Sequence, residues 1–147
     1  MNYHFKFDKI LHLKEREKDE VLATYNESLK QFEEVAEKLY FLLKKKEDLL
    51  QYQENQLVSG FSIIEIQHHQ QFISNLEKTI DYHQQLVINA RNKMNWFSQL
   101  LQEKNIEVKK YEKIKEKDMK RFKAFLLQNE NKQMDEISTI QFMNRGN

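Results

Sequence analysis

A chain that contains no proline, and whose one glycine before residue 146 is Gly60, has almost no means of breaking a helix. Proline removes a backbone donor and clashes with the preceding turn, and glycine costs about 1 kcal/mol relative to alanine inside a helix. Sheets and compact multi-element folds depend on turns, which draw on clustered Gly, Pro, Asn and Asp. Such clusters are scarce across these 147 residues. A few long helices are therefore expected. With 32% charged and 39% hydrophobic residues, each helix has enough apolar side chains for one face only.

The spacing of those side chains predicts how the helices associate. From Leu22 onward, steps of three and four alternate through Tyr25, Leu29, Phe32, Ala36, Leu39, Leu43, Lys46, Leu50, Gln53 and Leu57. Nine of these eleven positions are apolar, which is a heptad seam sustained long enough to specify a coiled coil. Val21, Val35, Leu42 and Leu49 lie beside this seam and widen the stripe. A second seam runs through Ile73, Leu76, Ile80, His83, Val87, Ala90, Met94, Phe97, Leu101, Lys104, Val108, Tyr111, Lys115, Asp118, Phe122, Phe125 and Asn129. Twelve of these seventeen are apolar, and the polar gaps cluster in the last third.

Between the seams, three signals fall within a few residues. Gly60 suits the left-handed conformation that closes a helix. Ser62 and Glu65 have the spacing of a capping box, and Phe61 can pack on Ile66 as a hydrophobic staple. The expectation is one all-α domain over residues 1–147, an antiparallel two-helix coiled-coil hairpin. Its first helix spans about 7–58, the turn 59–61, the second helix about 62–129 and a tail about 130–147. The alternative is one continuous helix dimerising in trans, in which a capping box would have no purpose. Folding about Gly60 pairs residue i with about 120 − i, so Phe7 falls near Lys113 and the second helix overhangs beyond it. Met119, Phe122, Phe125, Leu126 and Leu127 on that overhang form an apolar stripe in need of a partner.

Sites for catalysis are not evident. The chain has no cysteine, glycine-rich phosphate loop, nucleophile elbow or paired zinc motif. His68 and His69 are adjacent, hence about 100° apart around a helix, and cannot share a metal. His69 and His83 share a face but stand about 21 Å apart along it. No enzyme, cofactor or metal is expected. The absence of cysteine fits a reducing compartment, and no segment reads as a signal peptide or membrane span. Eight basic residues between Lys109 and Lys123 (Lys109, Lys110, Lys113, Lys115, Lys117, Lys120, Arg121 and Lys123) make nucleic-acid binding a rival reading. Glu112, Glu116 and Asp118 interleave with them at helix-pairing intervals, which favours a solvated face and no nucleic-acid partner. Tyr52, Ile66 and Phe72 beside the seams near the turn, and Trp96 in mid-helix, could broaden the core or form a docking patch.

Three segments resemble one family. The opening Phe5-Lys6-Phe7-Asp8-Lys9-Ile10-Leu11-His12-Leu13-Lys14, the stretch Gln71-Phe72-Ile73-Ser74-Asn75-Leu76-Glu77 and the closing Asp135-Glu136-Ile137 leading to Gln141-Phe142 are similar to the FliJ family of flagellar protein export, in the form found in Bacillus-like bacteria. The resemblance implies a stalk that links the hexameric export ATPase to the cytoplasmic domain of the membrane-embedded export gate and escorts export chaperones. It also implies a cytoplasmic protein, peripheral on the membrane and touching it only through the gate. Its gate-binding face falls on Leu49, Tyr52, Phe72, Leu76 and His83, with Lys45, Gln56 and Thr79 standing where other members differ. The end carrying Phe7, Met119, Phe122, Phe125 and Leu126 would enter the ATPase ring. The stalk of a virulence secretion system is a second reading within the same class.

Overall fold

The computed structural model describes residues 2–145. It contains two helices, α1 (Asp8–Ser59) and α2 (Ile63–Arg145), and no strand among the described residues. The hairpin expected from sequence forms where it was placed. Gly60 closes α1 with φ at +104°, the left-handed region, and a Cβ there would be strained although nothing crowds it. Ser62 caps α2, its Oγ accepting from the Glu65 N–H at 3.1 Å and its carbonyl from the Ile66 N–H at 2.9 Å. Cross-helix pairs such as Lys46–Glu77 and Asp8–Lys115 hold to 120 − i within a few residues, as the single short turn requires. One boundary differs. α2 continues to Arg145, past the end near Asn129 expected from the fading seam. Loss of the apolar seam removes a partner without breaking a helix, and Glu130, Lys132, Gln133, Met134 and Glu136 are good helix formers.

The chain divides into two compact units, and both helices contribute to each. In the unit spanning Glu20–Gln102, Ile73, Leu76, Ile80 and Val87 of α2 are buried as expected. On α1 the seam is shifted. Tyr25, Phe32, Leu39, Lys46 and Gln53 face inward, but the alternate positions are Val21, Ser28, Val35, Leu42, Leu49 and Gln56. Of the residues assigned there from sequence, Leu22, Leu43, Leu50 and Leu57 lie exposed on the flank, while Leu29 and Ala36 are half-buried. The apolar stripe of α1 is three rows wide, and the narrow seam of α2 covers only two of them. Ser28 tolerates its full burial because its hydroxyl donates to the Tyr25 carbonyl at 2.7 Å.

The other unit joins the chain up to Asp19 with α2 from Glu103 onward. Its core is Phe5, Leu11 and Val108, with Tyr3, Phe7, Tyr111 and Ile114 packed around them. Residues 2–7 are not helical, and the overhang is therefore shorter than expected. The chain turns at Lys6 and Phe7, where the Asp8 N–H donates to the Phe5 carbonyl at 3.2 Å, and the residues before the turn lie against α2 past Lys113. Tyr3 stacks on Phe122 with centroids 5.4 Å apart and donates to Asp118 at 3.0 Å. Desolvation and that carboxylate push its phenol pKa up.

The polar seam positions of this unit are also accounted for. Lys104 meets Glu17 at 3.3 Å and Glu107 at 3.9 Å, and Lys14 meets Glu107 at 3.4 Å and Glu17 at 3.6 Å. The hydrogen bond from Lys104 holds the Glu17 carboxyl below its ordinary range, and Glu107 holds Lys14 above its own.

Three outcomes test this architecture. Ile80→Ala should lose about 2–4 kcal/mol of stability and Leu43→Ala under about 1 kcal/mol in urea denaturation. Equal losses would restore the seam read from sequence. Phe5→Ala should speed amide exchange around Val108 to Phe122 while leaving Ile73 to Val87 protected. The Glu17 network should stabilise above the ordinary glutamate range near pH 4.3 and fade as pH falls through the lowered pKa of Glu17. The melting-temperature difference between wild type and Glu17→Gln should accordingly shrink between about pH 5 and pH 3.

Candidate partner-binding faces

The Glu20–Gln102 unit presents two edges beside its core, and one is aromatic. Where α1 turns into α2, Tyr52, Phe61 and His69 form a mutual cluster, with ring centroids 5.8 to 6.5 Å apart. The cluster is pinned by His69, whose Nε2–H donates to the Leu49 carbonyl at 2.9 Å. One turn further along, the Lys45 ammonium sits 5.4 Å over the Phe72 ring. Together with Gln56, Glu65 and His68, these aromatic residues line an open groove. Tyr52 and Phe72 each keep about half of their surface in solvent, at 52% and 49%. Large aromatics held in place yet half-exposed are suited to anchoring a partner.

The five residues placed on the gate-binding face do not share one fate. Tyr52 and Phe72 belong to the exposed edge. Leu76 is buried in the interhelical core, and Leu49 and His83 are half-buried within it. His83 Nδ1 is enclosed without a hydrogen-bond partner. Of the three positions noted as departures, Lys45 covers Phe72 and Gln56 lines the groove. The Thr79 hydroxyl is returned to its own helix, donating to Asn75 at 3.2 Å. Phe61 was read only as a staple. Its place in the cluster follows from the turn, which swings residue 61 back over Tyr52, and no single-helix pattern contains that information.

A comparable division holds in the other unit. Phe7 packs on Phe5 and Tyr111, and Phe122 on Tyr3, so both are engaged within the chain. Met119 and Phe125 are exposed, and Leu126 is half-buried. Beyond Leu126 every described residue of α2 is exposed. In the basic stretch, Lys115 pairs with Asp8 at 3.7 Å and Lys120 with Glu116 at 3.4 Å. Lys109, Lys110 and Lys113 surround the exposed Ile106. No helix among the described residues is long and apolar enough to cross a membrane.

These features meet in one group of known proteins. The sequence profile of the flagellar FliJ protein family matches residues 3–147. A flagellar FliJ protein from Bacillus subtilis (strain 168) is 52% identical over 149 residues, covering 99% of each chain. No solved structure matches. Matched along nearly its whole length by the profile and by this relative, the chain belongs to the flagellar FliJ family.

Proposed function

We propose that this protein is the stalk of flagellar protein export, joining the export ATPase ring to the cytoplasmic domain of the export gate and escorting emptied export chaperones. Catalysis has no part in this reading. The observation that carries it is the aromatic edge, where Tyr52 and Phe72 are fixed by neighbours on both helices and still present half of their surface to solvent. A side chain already ordered loses little entropy on binding, so its buried area converts efficiently into affinity. Tyr52 and Phe72 make the direct gate contact. Leu49, Leu76 and His83 lie behind them and set the helix spacing that holds the two rings in place.

For the ATPase ring, Met119 and Phe125 are the residues free to make contact, with Leu126 at their margin. Phe7 and Phe122 act by pinning the N-terminal segment along α2. The surrounding lysines supply attraction to acidic loops, a long-range effect on association rate. Chaperone escort would use surface that neither contact occupies, and the protein would work in the cytoplasm beside the membrane.

The double variant Tyr52→Ala/Phe72→Ala should retain its helical circular dichroism and bind the gate's cytoplasmic domain about 100-fold more weakly. It should leave binding to the ATPase unchanged and reduce swimming motility. Met119→Ser/Phe125→Ser should show the reverse selectivity. Loss of helicity in the first variant would place its aromatics in the core, and unchanged gate affinity would remove the basis of the docking assignment.

A further inference from the structure

The second edge of the same unit carries a different pattern. Leu22, Leu29, Ala36, Leu43, Leu50 and Leu57 follow one another at steps of seven along α1. Four of them, Leu22, Leu43, Leu50 and Leu57, look like core in the sequence and are exposed in the fold. Leu22 is 38% exposed, Leu43 42%, Leu50 45% and Leu57 54%, and Leu29 and Ala36 are half-buried. A lone exposed leucine needs no explanation, but a row in one heptad position is a continuous apolar ridge.

The hairpin does not cover this ridge. Facing it across the groove, α2 offers Gln70, Glu77, Gln84, Arg91 and Ser98, also at steps of seven and all polar. The sidedness is fixed by contacts: Lys46 reaches Glu77 at 3.5 Å, and Arg91 lies 5.8 Å over the ring of Phe32. Lys46 is thereby paired with a carboxylate, while Arg91 keeps its charge beside the Phe32 ring. The next row outward on α1 carries Glu33, Glu47 and Glu54 with Asn26 and Tyr40, and that on α2 carries Asp81 as its one charge among Gln67, Ser74, Ile88 and Asn95.

We infer that the leucine ridge of α1 is a docking seam for an amphipathic helix of another protein, with lysine or arginine flanking its apolar stripe. The steps of seven select a helix lying along α1, because only that geometry keeps a 3.5-residue period in register over several turns. The acidic rims select the charge of its flanks. They also oppose a second copy of this chain, which would bring Glu33, Glu47 and Glu54 against the same residues. This seam lies on the edge away from Tyr52 and Phe72 and does not depend on the gate assignment.

The test uses two synthetic helical peptides of about four heptads, with leucine at a and d and either lysine or glutamate at e and g. In fluorescence anisotropy against the full chain, the lysine peptide should bind at least about tenfold more tightly than the glutamate peptide. Leu43→Ser/Leu50→Ser should weaken its binding about tenfold or more. Glu47→Lys/Glu54→Lys, which leaves every apolar side chain in place, should weaken the lysine peptide and strengthen the glutamate one. Tyr52→Ala should change neither. Failure of both peptides to bind, equal binding of the two, or indifference to the leucine and charge variants would overturn the inference. So would a wild-type dimer in sedimentation that Leu43→Ser/Leu50→Ser converts to monomer, since the occupant would then be a second copy.

Discussion

Isolated helices as charged as α1 and α2 gain little from their own hydrogen bonds in water, where helix and coil are nearly balanced. What holds the Glu20–Gln102 unit together is the burial of Ile73, Leu76, Ile80 and Val87 against α1. That seam is narrow. Every other property of the unit follows from its width, because a two-helix pair can cover only a strip on each member and must leave both flanks in water. The flanks are consequently where this protein has surface for partners. One holds Tyr52 and Phe72, the other the leucine ridge, and the two differ in chemistry because the residues beside the seam differ.

Much of this was legible in the sequence, and unevenly so. The turn was readable because Gly60, Ser62 and Glu65 each have a local backbone reason to sit where they do. The α2 seam was readable between Ile73 and Ile80, where Ser74, Asn75, Glu77, Lys78 and Thr79 leave only one apolar track. The α1 seam read from sequence departs from the fold at Leu22, Leu43, Leu50 and Leu57, because Val21 stands beside Leu22, Leu42 beside Leu43 and Leu49 beside Leu50. A three-four and a four-three alternation both fit such a stripe, and hydrophobicity even favours the wrong one, since Leu29 outranks the buried Ser28. Only the partner helix decides between them. The gate face inherits the same ambiguity: Leu49 and Leu76 keep the spacing of Tyr52 and Phe72 but face the core.

The N-terminal segment marks a different limit. Counting residues across a hairpin assumes continuous helix on both sides, and residues 2–7 are non-helical with a turn at Lys6 and Phe7. The turn at Lys6 and Phe7 places Phe5 in a core with Leu11 and Val108, and Tyr3 reaches Phe122. The aromatic residues of the opening stretch thus have a packing role that a helical count cannot find. They also shorten the stretch of α2 left without cover, which begins near Phe125.

A two-helix pair that leaves both flanks in water links them through the seam between them. The aromatic groove and the leucine ridge share α1, with Leu49 in the seam between Tyr52 on one side and Leu50 on the other. A change in helix spacing at the seam therefore moves both flanks together. Leu49 faces the apolar stretch around Ile73 and Leu76, with Gln53 and Gln56 on the side of the turn and His83, its Nδ1 enclosed without a partner, beyond Ile80. Polar seam positions lower the cost of separating or rotating the helices locally, where an all-leucine seam would resist it. Local adjustment is therefore easiest at the two ends of this stretch, at Gln53 and Gln56 near the turn and at His83, while the apolar centre between them holds the two flanks in a fixed relation.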